Sequence, residues 1–498
     1  MNISEKYNNY YLYSILFFIF LPLNLIGQQF DGILILYAFE TNSIDVVYEW
    51  YKQAGRYLHQ IPIYIVELIN NFTKIDYEII LDNLIIFFLI LFCLEIKKYS
   101  YIIFNLEEKW CNLAALFVSI FPIWHIFVSF DIGQYIISTY FLFFGFRYYI
   151  QKNKFKFIFG LILILYSFNV ESNLSFVIGL SLIHLLKKKS DYNFLLIRLF
   201  TIIGIVVSYY FVRMHYFSPY GLFEGYNTLH MGILNNITPS KIIANIIQYS
   251  SYLYLFLWMP VFFIIHISIK NKISIKKVLK KNEIDYFNYF LLIILAGFAI
   301  FPYIISNKSS SIFYLSDYYQ RHAILLAPIS GIFFSIMFKD LSKLNHMSNK
   351  ISVNFYISIF IIINLILLNY GNYRKTESNL FRKNMISEFK NIEKIPKGNI
   401  KIISKNLPMD LRDYEINYLL FSAYGEASWY ANNDLSGPKD FYNSKEIYRH
   451  LFIFSDYEPE CNIKIILKND LTKIERLKYL YILNYKNFYS IDSVEKNC

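Results

Sequence analysis

Tyr11-Leu-Tyr-Ser-Ile-Leu-Phe-Phe-Ile-Phe-Leu-Pro-Leu-Asn-Leu-Ile26 is an apolar run that ends in Gln29-Phe-Asp-Gly32 and, one amphipathic stretch later, Ala54-Gly-Arg-Tyr57. The first run reads as a membrane helix. The polar interruption puts a carboxylate, Asp31, at its end and an arginine, Arg56, in the same loop. In a chain otherwise built from apolar blocks, ionisable groups at this position predict chemistry on a charged, lipid-linked substrate.

The 498 residues are 56% hydrophobic, 20% aromatic and 17% charged, and the mean hydropathy is +0.35. That little charge with so many apolar blocks predicts a polytopic α-helical membrane protein. The N-terminal run carries Glu5 and Lys6 before it and no small-x-small cleavage pattern after it, so it reads as a retained span. Further apolar blocks predict about eleven transmembrane helices, near 11–27, 80–96, 112–128, 134–150, 156–170, 174–187, 196–213, 248–268, 286–305, 322–338 and 352–370.

Charge placement sets the expected orientation. With the N-terminus inside, the inner loops hold 21 Lys and Arg, including Lys97, Lys98, Arg147, Lys152, Lys187–Lys189 and Lys276–Lys281. The outer loops before the tail hold 7. Basic residues flanking spans stay cytoplasmic, so the N-terminus is expected in the cytoplasm and the working face outside. The net charge of +11 is accounted for as topology determinants and contacts to membrane lipids, and nucleic acid is excluded as a partner. Residues 1–370 thus read as a membrane core with an outer loop at 28–79, and 371–498 as a small C-terminal extracytoplasmic α/β domain. In the tail, 400–403, 451–454 and 463–467 read as strands, and 380–392, 410–421 and 471–483 as helices. Cys461 and Cys498 are either a disulfide on an oxidising face or two thiols.

Asp31 is the first catalytic candidate, as a general base on an acceptor hydroxyl or as a ligand of a divalent metal. Arg56 follows Gly55 and suits bidentate phosphate binding. Asp317-Tyr-Tyr-Gln-Arg-His322 gathers a carboxylate, Arg321 and His322 at the mouth of a late span, and all three are candidate substrate-binding residues. Asp131 and Glu171 lie in very short outer turns and read first as turn residues. Glu40, Asp45 and Glu49 read as the solvated face of an interfacial helix. His125, His184 and His266 have no metal-ligand spacing. Walker, His-Glu-x-x-His and Gly-x-Ser-x-Gly patterns are absent, which leaves ATP-driven transport and ordinary hydrolysis without support.

On these residues the chain resembles the GT-C superfamily of membrane glycosyltransferases. Phe30-Asp-Gly32 and Ala54-Gly-Arg-Tyr57 are similar to the first outer loop of the bacterial O-antigen glucosyltransferase type, with Phe30 in place of a second acid and Tyr57 in place of a proline. Gln320-Arg-His322 is similar to the late arginine motif of such enzymes. The resemblance implies transfer of a sugar from a polyprenyl-phosphate donor to a cell-surface glycan or lipid-linked acceptor outside the cytoplasmic membrane. It implies that Asp31 activates the acceptor or holds a metal, while Arg56 and Arg321 neutralise the departing phosphate. Tyr424, Trp429 and Tyr430 are either sugar platforms or tail core. A polymerase or ligase using a polyprenyl-diphosphate glycan is the competing enzyme; a transporter, flippase or scaffold is the non-enzymatic alternative.

Overall fold

The computed structural model describes residues 3–29, 31–188, 191–223, 238–254, 256–271, 285–306, 308–313, 318–345, 353–391, 399–403, 413–425, 430–431, 462–468 and 490–497. Asp317, Cys461, Cys498 and Trp429 lie outside them, as do the expected strand 451–454 and helix 471–483.

Among the described residues the chain is largely helical. Helix α1 (Ile3–Phe20) is followed by α2 (Asp31–Glu40), α3 (Ile44–Gln53), α4 (Gln60–Thr73), α5 (Tyr77–Phe104), α6 (Glu108–Ser119), α7 (Phe130–Tyr149) and α8 (Lys154–Ser167). Then come α9 (Ser172–Lys187), α10 (Tyr192–Tyr216), α11 (Pro239–Tyr254), α12 (Trp258–Asn271), α13 (Tyr286–Ile305), α14 (Leu326–Asn345), α15 (Val353–Asn391) and α16 (Asp413–Tyr424).

Four of these, α5, α10, α13 and α15, are long and apolar enough to cross a membrane, and a fifth span is added if Pro239–Leu253 and Trp258–His266 form one bent helix. The protein is therefore a helical membrane protein. Three other expected spans are shorter as helices. The run 112–128 stops at Ser119, ahead of Pro122, which cannot donate to a helical ladder. Helix α8 has 14 residues and α9 has 16. At about 1.5 Å per residue neither reaches the roughly 30 Å of a bilayer core. The segment before α14 is a 3-10 turn, Tyr318–Ala323, so Arg321 and His322 sit ahead of that helix and not inside it.

The packed interior lies between α5, α6, α7, α9, α13 and α14, with α8 against α7 and α10 against α9. Phe200, Phe211 and Ile197 on α10 stay exposed. Apolar surface left uncovered on a membrane helix is the lipid-facing side.

The bundle has two polar ends. At one, Arg147 pairs with the buried Glu95, Lys152 with Asp191 at 2.9 Å and Lys343 with Asp340 at 3.5 Å. At the other end the loop after α1 enters the core through Gln28. Its Nε2 donates to Asp82 Oδ1 at 2.6 Å and to the Val128 carbonyl at 3.1 Å, its Oε1 accepts from Phe130 N–H at 2.9 Å, and its carbonyl accepts from Arg382 Nη1 at 3.0 Å. Gln29 Nε2 donates to the Lys375 carbonyl at 3.0 Å.

Helix α15 runs unbroken through Tyr370, and its polar second half, with Asn372, Lys375, Glu377 and Arg382, is buried. The expected helix over 380–392 is the end of α15. Beyond it, strands β1 (Asn399–Ile403), β2 (Tyr430–Ala431), β3 (Asn462–Lys468) and β4 (Ser490–Asn497) form a sheet of order β2-β1-β3-β4. Strand β1 is parallel to β2 and β3, whereas β4 is antiparallel to β3. Strands β1 and β3 fall on the expected runs 400–403 and 463–467. Strand β4 was not anticipated because its apolar residues, Ile491 and Val494, break strict alternation. A bulge explains this: Val494 pairs with Ile465 and Ile491 with Leu467, leaving Asp492 as the extra residue.

Replacing Gln28 by Leu strands the Asp82 carboxyl and the Phe130 N–H in a buried environment. Each such loss costs about 1–3 kcal/mol. Thermal unfolding of the purified Gln28→Leu protein is expected to show a clear fall in midpoint, and an unchanged midpoint would contradict this account of the junction.

Candidate functional site

Asp31 is the first residue of α2, where free backbone N–H groups favour a carboxylate. The preceding glutamines fix its place. Gly32 lies so close to the turn before α7 that a β-carbon there would meet Ser129 Oγ at 2.6 Å and Phe130 N at 3.1 Å. This close approach brings the start of α2 against the start of α7, where Asp131 sits in the first turn. The two carboxylates share a site: the Asp31 charge acts on Asp131, and the Arg321 charge opposes it.

The surroundings of Asp131 pull its proton affinity in opposite directions. Ser129 Oγ lies 2.5 Å from Asp131 Oδ1 and also donates to the Gln29 carbonyl. Ser129 is the donor to Asp131, and this bond favours the ionised carboxylate. Burial, then the neighbouring Asp31 charge, outweighs it and raises the Asp131 pKa from 3.8 to about 7.

Arg56 is reached by a tight turn. Gly55 has φ +69°, and a β-carbon there would also strike the Phe217 carbonyl at 2.5 Å, so glycine is required on both grounds. Arg56 Nη2 lies 3.4 Å from Tyr135 OH and 3.6 Å from Glu171 Oε2. Glu171 is held on its other oxygen by Arg213 Nη2 at 2.6 Å. Burial raises the Glu171 pKa, but Arg213 and Arg56 outweigh it and hold the carboxyl well below its usual range. Arg56, Arg321 and Glu171 all act on Lys308, whose own pKa is lowered chiefly by burial.

Arg321 and His322 are buried in the 3-10 turn before α14. The His322 ring lies 4.5 Å from that of Tyr303, whose hydroxyl donates to Ser172 Oγ at 2.9 Å. Tyr51, buried on α3, joins the acidic and basic halves. Its hydroxyl accepts from Gln134 Nε2 at 2.8 Å, and it feels Asp131, Arg56 and Asp31.

The structure thus brings Asp31, Arg56 and Arg321, separated by up to most of the membrane core in sequence, into one electrostatic cluster at one end of the bundle. Asp317 lies outside the described residues. Asp131 and Glu171, read from sequence as turn residues, are central. Gln134, Tyr51, His59 and Arg213 were not singled out as site residues. The available signal was the polar turn Ser129-Phe-Asp131 opening directly onto Gln134. Asp45 is exposed and Glu49 partly so, as expected of a solvated face. His125 is buried against Gly371, away from any ligand set.

Among the described residues, no group of three or more His, Cys, Asp and Glu is arranged to hold a metal ion. Comparison with known proteins gives no match: no family model, curated protein or solved structure is similar to the chain.

The raised Asp131 pKa means that the folded state holds a proton which the unfolded chain releases near 3.8. Its contribution to stability is present below that value and is lost as pH rises through about 7. Asp131→Asn removes this loss. The variant is expected to gain in melting temperature relative to the parent between pH 5 and 8, and a constant difference across that range would contradict the assignment.

Proposed function

We propose that the protein is a membrane glycosyltransferase that moves a sugar from a polyprenyl-phosphate donor to a cell-surface glycan or lipid-linked acceptor. The observation that carries this reading is the convergence of a carboxylate pair and several cations, drawn from four separate segments, at one end of a helical membrane protein. Asp31 takes the proton of the acceptor hydroxyl as its oxygen bonds to the anomeric carbon. The bond from that carbon to the phosphate oxygen breaks, and the electron pair leaves with the phosphate. Arg56 and Arg321 stabilise the charge developing there, which preorganised guanidinium groups do well in a site shielded from water. Asp131 keeps its proton and so leaves Asp31 as the base. His322, and Asp317 from the sequence reading alone, are assigned to substrate binding. Where Asp31 holds a divalent metal instead of acting as the base, that ion would supply further charge to the phosphate.

In this reading the shorter helices complete a bundle of about eleven spans in the cytoplasmic membrane. The N-terminus is inside; the site and the extracytoplasmic α/β tail, 371–498, are outside. The support is the excess of Lys and Arg at the opposite end of the helices, among them Arg147, Lys152 and Lys187. The second reading, a polymerase or ligase acting on a polyprenyl-diphosphate glycan, is favoured by one feature. Arg213 and Lys308 stand beside Arg56 and Arg321, enough cationic charge for a second phosphate.

Asp31→Asn is expected to abolish glycan modification while leaving expression and membrane insertion unchanged. Analysis of the surface glycan by mass spectrometry checks this. Loss of a single sugar branch fits the transferase, loss of chain length fits the polymerase, and normal glycan from the variant sinks both.

A further inference from the structure

His59 is fully buried at the turn that follows Arg56, and neither of its ring nitrogens has a hydrogen-bond partner among the described residues. Gln134 is equally enclosed, and its Oε1 is likewise unpartnered among the described residues. Both adjoin the same side chain. The His59 ring packs edge-on to Tyr51 with centroids 5.4 Å apart, and the Gln134 amide donates to the Tyr51 hydroxyl. Buried polar atoms are almost always paired. Two residues left open around one tyrosine, next to the carboxylate pair, therefore mark a place where a bound molecule completes the hydrogen bonds.

The chemistry of the open atoms selects that molecule. Burial, followed by the Arg56 charge, holds the His59 pKa well below its ordinary value, so the ring is neutral, with one donor and one acceptor nitrogen. Gln134 Oε1 is a second acceptor. An anion finds too many lone pairs here, and a cation meets Arg56 and Arg213. A neutral ring bearing hydroxyls, each able to donate and to accept, fits. We infer that His59 and Gln134, on either side of Tyr51, form the subsite that reads the hydroxyls of the transferred sugar. This rests on the glycosyltransferase reading and deepens it, since the phosphate-facing arginines do not discriminate between sugars.

The test measures binding to the purified full-length protein in detergent by titration calorimetry. The probes are farnesyl phosphate and farnesyl phosphate carrying glucose, galactose, mannose, N-acetylglucosamine or arabinose. The parent is expected to bind at least one sugar-bearing probe more tightly than bare farnesyl phosphate. His59→Phe and Gln134→Leu are each expected to lose about tenfold of that gain, the worth of a neutral hydrogen bond, with bare farnesyl phosphate bound as before. His59→Asn, whose amide both donates and accepts, is expected to recover part of it. Should His59→Phe not be recovered as a monodisperse protein, Gln134→Leu decides by the same criterion. Equal binding of all probes by the parent, or an unchanged gain in the variants, overturns the subsite and leaves the phosphate reading standing. Failure of the parent to bind any probe, bare farnesyl phosphate included, overturns the donor reading and the subsite together.

Discussion

The side chain of Gln28 ties together segments far apart in the chain. Its amide spans Asp82 on α5 and the backbone at Val128 and Phe130, and its carbonyl holds Arg382 of α15. No water competes for these bonds in a buried junction, and each polar atom there must be answered by another protein atom. The end of α1, the start of α7 and the polar half of α15 are consequently fixed relative to one another before any substrate arrives. Asp31 and Asp131 inherit their spacing from this junction, because each follows within a few residues of a group that Gln28 or Gln29 holds.

The cluster built on that junction divides its charges. On one side, burial and the adjacent Asp31 charge raise the pKa of Asp131 against the Ser129 hydrogen bond. On the other, Glu171 lies between Arg56 and Arg213 and stays ionised in spite of burial. The contrast is one of neighbours rather than of residue type. A buried carboxylate beside another carboxylate keeps its proton, whereas one between two guanidinium groups gives it up. Tyr51 stands between the halves and places the neutral His59 and Gln134 beside both.

The first loop shows how far residue order alone could reach. The apolar run ending at Gln29-Phe-Asp-Gly32 was readable as a membrane helix giving way to a carboxylate, and Gly55-Arg56 as a turn presenting a guanidinium. Span lengths were less legible. Apolar composition marks membrane residence, but Pro122 and the 3-10 turn at Tyr318–Ala323 shorten or displace helices within apolar stretches. In the tail, β1 and β3 were visible as Ile-rich runs, while β4 was hidden by the bulge at Asp492, since alternation is the signal and a bulge erases it.

By itself the sequence determined the membrane class, the polar break after the first apolar run, and the candidacy of Asp31, Arg56 and Arg321. Those follow from local properties: hydropathy over a window, a glycine before an arginine, charge at the edge of an apolar run. Only the tertiary structure decided that Asp131 and Glu171 join the charged cluster of Asp31, Arg56 and Arg321, and that His59, Gln134 and Tyr51 adjoin it. The reason is physical. The protonation and pairing of a carboxylate depend on which charges fold against it, and in this chain those charges come from other segments, Arg213 and Arg56 to Glu171 and Arg321 and Asp31 to Asp131.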